Sequence, residues 1–225
     1  MSKLIRLTPE DLIKKISLGE RDFSGILLEN TDINSYPEFN ESLRALESYN
    51  PEDEIPFNFR DSRFSNVRAN GLYLPYGLFN STIFEKCEIK DGEFIKSNLE
   101  SVVFFKCDLH NSDFNDSSAS YMKMIKSNAS YTEWDFCDLT GSKWYKVNLE
   151  GSSFNKETVF DSAKLRRIYG IEKSELPEAN LKNARIGCAE KHTIAAIRRQ
   201  SKKEILKYVQ SLSCLLYTSP SPRDS

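Results

Sequence analysis

Acid–base, nucleophilic and metal chemistry at neutral pH run mostly through histidine and cysteine, and this chain of 225 residues holds two of the first and five of the second. They do not gather into a site. Cys87, Cys107, Cys137, Cys188 and Cys214 include no CxxC, which argues against a zinc site. His110 and His192 stand alone, and there is no Gly-x-Ser-x-Gly elbow and no phosphate loop. The chain therefore reads as no enzyme, with no cofactor and no metal. Its charged side chains say more. Lys86, Lys106, Lys126 and Lys146 recur at one constant spacing, and Phe105, Ile125 and Tyr145 recur beside them at the same spacing. Four ammonium groups in a column beside an apolar stripe would bind an acidic surface electrostatically, with the stripe making the contact. That column exists only if the fold itself has a period that divides the spacing.

It does. From 59 to 154 an apolar residue returns at every fifth position, through Phe59, Phe64, Ala69, Leu74 and Phe79 to Trp144, Leu149 and Phe154. In a chain that is 39% hydrophobic, so long an unbroken series in one phase would arise by chance on the order of once in 10⁸. Two positions before each centre stands mostly a small residue, such as Ser62, Thr82, Gly92, Ser97 and Ser112. A period of five fits neither the 3.6 of a helix nor the 2 of a strand. It fits a chain that turns a corner at every repeat, with the centre and its small neighbour inward and the other positions toward water. Cys87 and Cys107 then stack in adjacent coils as small interior fillers, a reading preferred to a disulfide.

The pentads Ser97-Asn98-Leu99-Glu100-Ser101, Ser112-Asp113-Phe114-Asn115-Asp116 and Cys137-Asp138-Leu139-Thr140-Gly141 resemble those of the pentapeptide-repeat proteins, as does Val147-Asn148-Leu149-Glu150-Gly151. The resemblance covers roughly two-thirds of the chain. It implies an all-β solenoid, a right-handed quadrilateral β-helix with four pentads per coil. It implies little about function, because the family does many jobs.

Around the repeat the organisation reads as follows. Residues 1–20 form an N-terminal capping helix, with Thr8 as N-cap, Pro9 at the first helical position and Leu12, Ile13 and Ile16 as its apolar stripe. Residues 21–35 form a first repeat coil, and a helix followed by Gly19-Glu20-Arg21-Asp22-Phe23 resembles the opening of cyanobacterial-type members. Residues 36–55 break the phase and carry Phe39, Leu43 and Leu46 at helical spacing, a helical insertion. The β-helix occupies 56–187. Within it Val159 keeps the phase, 165–174 reads as a loop, and Leu176, Leu181 and Ile186 resume in a shifted phase. Residues 188–212 form an amphipathic helix of charge +4 that caps the last coil or dimerises the chain. Residues 213–225 resemble translated sequencing adaptor and are set aside as an artefact tail, so the native C-terminus, with any further domain, is expected beyond Leu212. No apolar run is long enough to span a membrane and the start lacks a signal-peptide core, so the expected location is the cytoplasm, without membrane contact.

With four pentads per coil, Phe64, Phe84, Phe104, Met124 and Trp144 line one face, and Leu74, Phe94, Phe114, Trp134 and Phe154 the face opposite. The first face carries the lysine column outside. The opposite one carries Glu93, Asp113 and Glu133, interrupted by Lys96 and Lys156. Read structurally, the lysines blunt a β surface against aggregation while Phe105, Ile125 and Tyr145 shield backbone. Read functionally, the basic face docks an acidic protein partner, and the chain is a binding scaffold. Nucleic acid is the weaker partner for a chain of net charge −2. The resemblance supplies an alternative, a DNA mimic that binds and modulates a type II topoisomerase such as gyrase.

Overall fold

The computed structural model describes residues 3–46, 56–171, 181 and 183–188. The expected C-terminal helix, the dimer contact through it, the tail and Leu176 lie outside these residues, as does part of the insertion.

The period of five produces a parallel solenoid. Among the described residues nine strands stack in chain order as one sheet: β1 (Ile5–Arg6), β2 (Ile26–Asp32), β3 (Arg63–Arg68), β4 (Ile83–Glu85), β5 (Val103–Phe105), β6 (Lys123–Ile125), β7 (Lys143–Tyr145), β8 (Lys164–Ile168) and β9 (Arg185–Cys188). From β3 to β7 the register advances one coil at a time, Phe64↔Phe84↔Phe104↔Met124↔Trp144. The other three faces are joined by single parallel bridges, such as Glu88↔Asp108, Glu93↔Asp113 and Asn98↔Ser118. One face of the rod is therefore a continuous sheet, and it is the face of the lysine column.

Each position of the pentad has a physical task. The centre is buried, and rings stack along the axis at 4.9 Å for Phe64–Phe84, 5.0 Å for Phe84–Phe104, 5.1 Å for Phe94–Phe114 and 4.2 Å for Phe114–Trp134. The two ladders meet edge to face, Phe104 against Phe114 at 6.2 Å. The small residue two before the centre is buried too, and its side chain donates to the carbonyl of a centre one coil back. Ser97 Oγ reaches Leu74 O at 3.1 Å, Ser112 Oγ reaches Ile89 O at 2.9 Å and Ser117 Oγ reaches Phe94 O at 2.7 Å. Leu72, Val102, Met122 and Val147 are buried at the same position in other pentads without such a donor, but an alanine in place of a serine would leave that buried carbonyl less satisfied. The Asp or Asn just before the centre accepts from the amide two positions on, as Asp113 Oδ1 does from Asn115 N at 2.8 Å and Asp138 Oδ1 from Thr140 N at 2.9 Å. That bond starts the corner. The residue two after the centre completes it in a left-handed conformation, with φ of 55° at Lys86, 59° at Ser101, 58° at Lys106 and 61° at Asp116. That conformation costs a non-glycine residue about 1 kcal/mol. Its amide is satisfied by a bond to the next coil, Lys106 N–H to Ile125 O at 2.9 Å for instance.

At the N-terminal end α1 (Pro9–Ser17) has Thr8 as N-cap, its Oγ1 accepting from Asp11 N at 3.1 Å, and buries Leu12, Ile13 and Ile16. β2 pairs with β3 as Leu28↔Phe64, whereas β3 pairs with β4 as Phe64↔Phe84, so the coil that starts at Leu28 is nearly twice as long as a regular one. The excess includes a 3-10 turn at Ile33–Ser35 and α2 (Glu38–Leu46), whose Phe39 and Leu43 enter the core where a pentad centre would stand. The helices pack on each other, and Tyr36 Oη donates to Glu10 Oε1 at 2.5 Å. A cavity of about 30 Å³ remains beneath them, lined by Leu12, Phe39, Phe64, Ala69 and Leu74.

Two expectations at the other end are corrected. Phe160, not Val159, fills the core, since Val159 bridges Asp138 one position before the centre. The region expected to be a loop from 165 begins instead with strand β8, where Leu165 is fully buried and pairs with Trp144. One extra residue accounts for both. Asn155 Oδ1 accepts from the amides of Glu157 and Thr158 and from Thr158 Oγ1, which stabilises a longer corner and moves everything after it by one. Ile186 then falls in register over Leu165.

Candidate functional site

The basic face is built on β4–β8. Lys86, Lys106, Lys126 and Lys146 each sit at the closing corner of their pentad, with φ of 55, 58, 54 and 56°, so the four side chains leave the rod along one edge. Beside them Glu85, Phe105, Ile125 and Tyr145 stand in direct register. At the opening edge the register runs Val103↔Lys123↔Lys143↔Lys164↔Arg185.

These residues are not equivalent. Arg63 Nη2 and Lys86 Nζ share Glu85, at 2.6 and 3.7 Å, so the N-terminal end of the face is paired. From β5 onward the outward positions of the sheet carry no carboxylate among the described residues. Lys106 Nζ lies over the Phe105 ring at 5.1 Å, and Lys146 Nζ over the Tyr145 ring at 5.6 Å. Arg167 stacks on Tyr145 from the next coil and donates to its hydroxyl at 2.9 Å. Ile125 points to the outer side but is only 3% exposed, in register between Phe105 and Tyr145. It underpins the stripe and presents little of itself. Burial and then the neighbouring Lys143 hold the Lys123 ammonium below the usual lysine range, and burial and then Lys106 do the same to Lys126. The face is crowded with like charge. Lys164, Arg166, Arg167 and Arg185 extend it, and counting in fives misses them because the extra residue near 155 hides their register.

The other candidate chemistry is dispersed. His110 Nδ1 is 3.0 Å from Ser130 Oγ and the ring meets Tyr131 edge-on, with no third group to complete a catalytic set among the described residues. Cys87, Cys107 and Cys137 are free, buried thiols, and burial pushes Cys107 well up and Cys137 up to about 12. Among the described residues no group of three or more His, Cys, Asp or Glu could hold a metal ion, and no helix is long and apolar enough to cross a membrane.

On the opposite face Glu93, Asp113 and Glu133 bridge in register. Burial, and then Glu133, Asp116 and Asp135, raise the Asp113 carboxyl above its ordinary value, while the Asn115 amide pulls the other way. A carboxyl whose folded pKa is raised stabilises the fold below its unfolded pKa, and that contribution is lost as pH rises through the folded one. Asp113→Asn keeps an acceptor for the Asn115 amide and removes the charge. It should raise the melting temperature at pH 7 by about 1–2 °C, given solvent screening, and change nothing near pH 3. Equal melting at both pH values would count against the crowding.

A family model described as pentapeptide repeat region matches residues 87–163. No curated protein matches the chain. Among solved structures, a trypsin-treated form of QnrB1, a plasmid-mediated fluoroquinolone resistance protein, is 13% identical with a TM-score of 0.52, over 91% of this chain and 96% of that one. The pentapeptide repeat protein Rfr23 from the cyanobacterium Cyanothece 51142 is 14% identical with a TM-score of 0.34, over 66% of this chain and 97% of that one. The coil of residues 87–163, the stretch matched by the pentapeptide repeat region, is repeated on both sides of them.

Proposed function

We propose that the protein is a non-enzymatic binding scaffold that docks an acidic protein surface on the basic face of its sheet. One observation carries this: from β5 onward the continuous sheet of the rod presents Lys106, Lys123, Lys126 and Lys143 around Phe105 and Tyr145 with no outward carboxylate among them. Cations at this density repel one another, and an acidic partner relieves that repulsion while the rings supply apolar contact. The test is quantitative capture from a bacterial lysate by the full chain and by a Lys106→Glu/Lys126→Glu variant, both shown to fold by circular dichroism. A protein captured by the first and reduced about tenfold or more with the second supports the reading. The same proteins captured equally by both would sink it.

The DNA-mimic alternative draws on the acidic column Glu93, Asp113 and Glu133 and on a fluoroquinolone resistance protein sharing the fold, a likeness that speaks for fold alone at this identity. The column spans three coils, with Lys96 in its first pentad and Lys156 one coil beyond Asp135 on the same face, short for a rod imitating a duplex. Inhibition of a purified type II topoisomerase that survives Lys106→Glu/Lys126→Glu would favour it.

A further inference from the structure

We propose that this rod associates laterally with second copies of itself, the basic face of one copy on the acidic face of the next. The inference rests on the reading of the basic face as a binding surface and names its partner.

The geometry follows from the coil. Centres two pentads apart, such as Phe104 and Phe114, meet across the interior, so their pentads form opposite sides of the rod. The chain crosses those two sides in opposite directions. A copy displaced sideways by one rod width, without rotation, therefore brings the closing edge of each basic pentad against the opening edge of an acidic one. At the closing edge stand Lys86, Lys106 and Lys126, and at the opening edge Glu93, Asp113 and Glu133. Both columns repeat once per coil through the same parallel pairing. One pair in register thus places its neighbours in register too, which an unrelated acidic surface would match only by chance.

Composition fits as well. Between β4 and β7 the outward positions of the basic face hold six lysines and one carboxylate, Glu85. The facing stretch holds Glu93, Asp113, Asp116, Glu133 and Asp135 with one cation, Lys96. At the two corners that bound the acidic face Tyr131 and Phe136 are 52% and 55% exposed, large apolar groups at the edges of the contact. Burial, and then neighbouring like charge, raises the Asp113 carboxyl on one side and lowers the Lys123 ammonium on the other, so each face carries a repulsion that an opposite charge would relieve. Because the operation is a translation, every added copy leaves the same two faces open. The product is an open stack and not a closed dimer.

Sedimentation velocity of the full chain tests this. In about 0.02 M salt we expect species beyond the dimer that grow with protein concentration, and in about 0.5 M salt, where charges are screened within a few ångströms, a monomer. Lys106→Glu/Lys126→Glu and Glu93→Lys/Glu133→Lys should each weaken assembly about tenfold or more. An equimolar mixture of the two should regain association, since each contributes one native face. A wild-type chain that stays monomeric in low salt, or assembly indifferent to Glu93→Lys/Glu133→Lys, overturns the inference. Glu93→Lys/Glu133→Lys leaves the basic face untouched. A chain that captures an acidic protein but never assembles refutes self-association and leaves the binding-scaffold reading standing, whereas assembly that survives Lys106→Glu/Lys126→Glu counts against the basic face as a binding surface and so against both.

Discussion

Phe104→Asp should abolish cooperative folding, while Phe105→Asp, the next position along the same strand, should melt within a few degrees of wild type. Phe104 is fully buried, stacks on Phe84 at 5.0 Å and meets Phe114 edge-on at 6.2 Å. Truncating a ring in such a site costs about 3–5 kcal/mol. A carboxylate in its place adds the penalty of an unpaired buried charge, several kcal/mol more after relaxation. Together these match or exceed the total stability of about 5–15 kcal/mol usual for a folded domain. The damage spreads, because each coil is held mainly by its neighbours and this one lies mid-rod. Phe105 is half-buried under the Lys106 ammonium. Replacing it loses some packing and a cation–π contact, about 1 kcal/mol, and places a carboxylate among lysines. For a chain of this size that is about 2–4 °C. Circular dichroism with thermal melting decides. A native-like, cooperative Phe104→Asp protein would refute the inward assignment of the column.

That contrast shows what the sequence makes legible. A period of five is a local rule: the buried centre, the small residue that hydrogen-bonds to the coil below and the Asx corner each leave a mark on residue type. Hence the coil, the opposed faces and the two ring ladders can be read from 59 to 154. The extra residue after Phe154 leaves no such mark, because Asn155 looks like any other polar pentad residue until its Oδ1 is seen holding Glu157 and Thr158. Counting in fives therefore makes Val159 a centre and leaves Arg166 and Arg167 out of the basic face. Exposure is the other blind spot. Position in the pentad places Lys106 and Ile125 outside alike, yet Ile125 is buried, since exposure depends on neighbours that alternation does not encode. Nor does the pentad distinguish the face that forms a continuous sheet from the three that form single bridges.

Gly170→Ala should destabilise the C-terminal coils by about 2–4 kcal/mol, several times the cost of Gly141→Ala, although both glycines have positive φ. At Gly141, φ is +66° and an added Cβ would come within 2.7 Å of Tyr121 Cε1. That ring is 57% exposed and can swing away, leaving roughly the 1 kcal/mol of a non-glycine residue in a left-handed corner. At Gly170, φ is +77° and the Cβ would meet Glu150 N at 2.5 Å and Cα at 2.6 Å. This obstacle is backbone, fixed by the Leu149 N–H to Tyr169 O bond at 2.9 Å and the Asn148↔Tyr169 bridge. Relief requires parting two coils and breaking the bonds that join them. Because coupling in a solenoid is nearest-neighbour, the loss should be local. Hydrogen exchange should show β8 losing protection in Gly170→Ala while β4–β6 keep theirs, and urea unfolding should begin at lower denaturant. Equal stability of the two alanine variants would mean that the coils yield more easily than their pairing implies, and that the rod tolerates a side chain where Gly170 faces the Glu150 backbone.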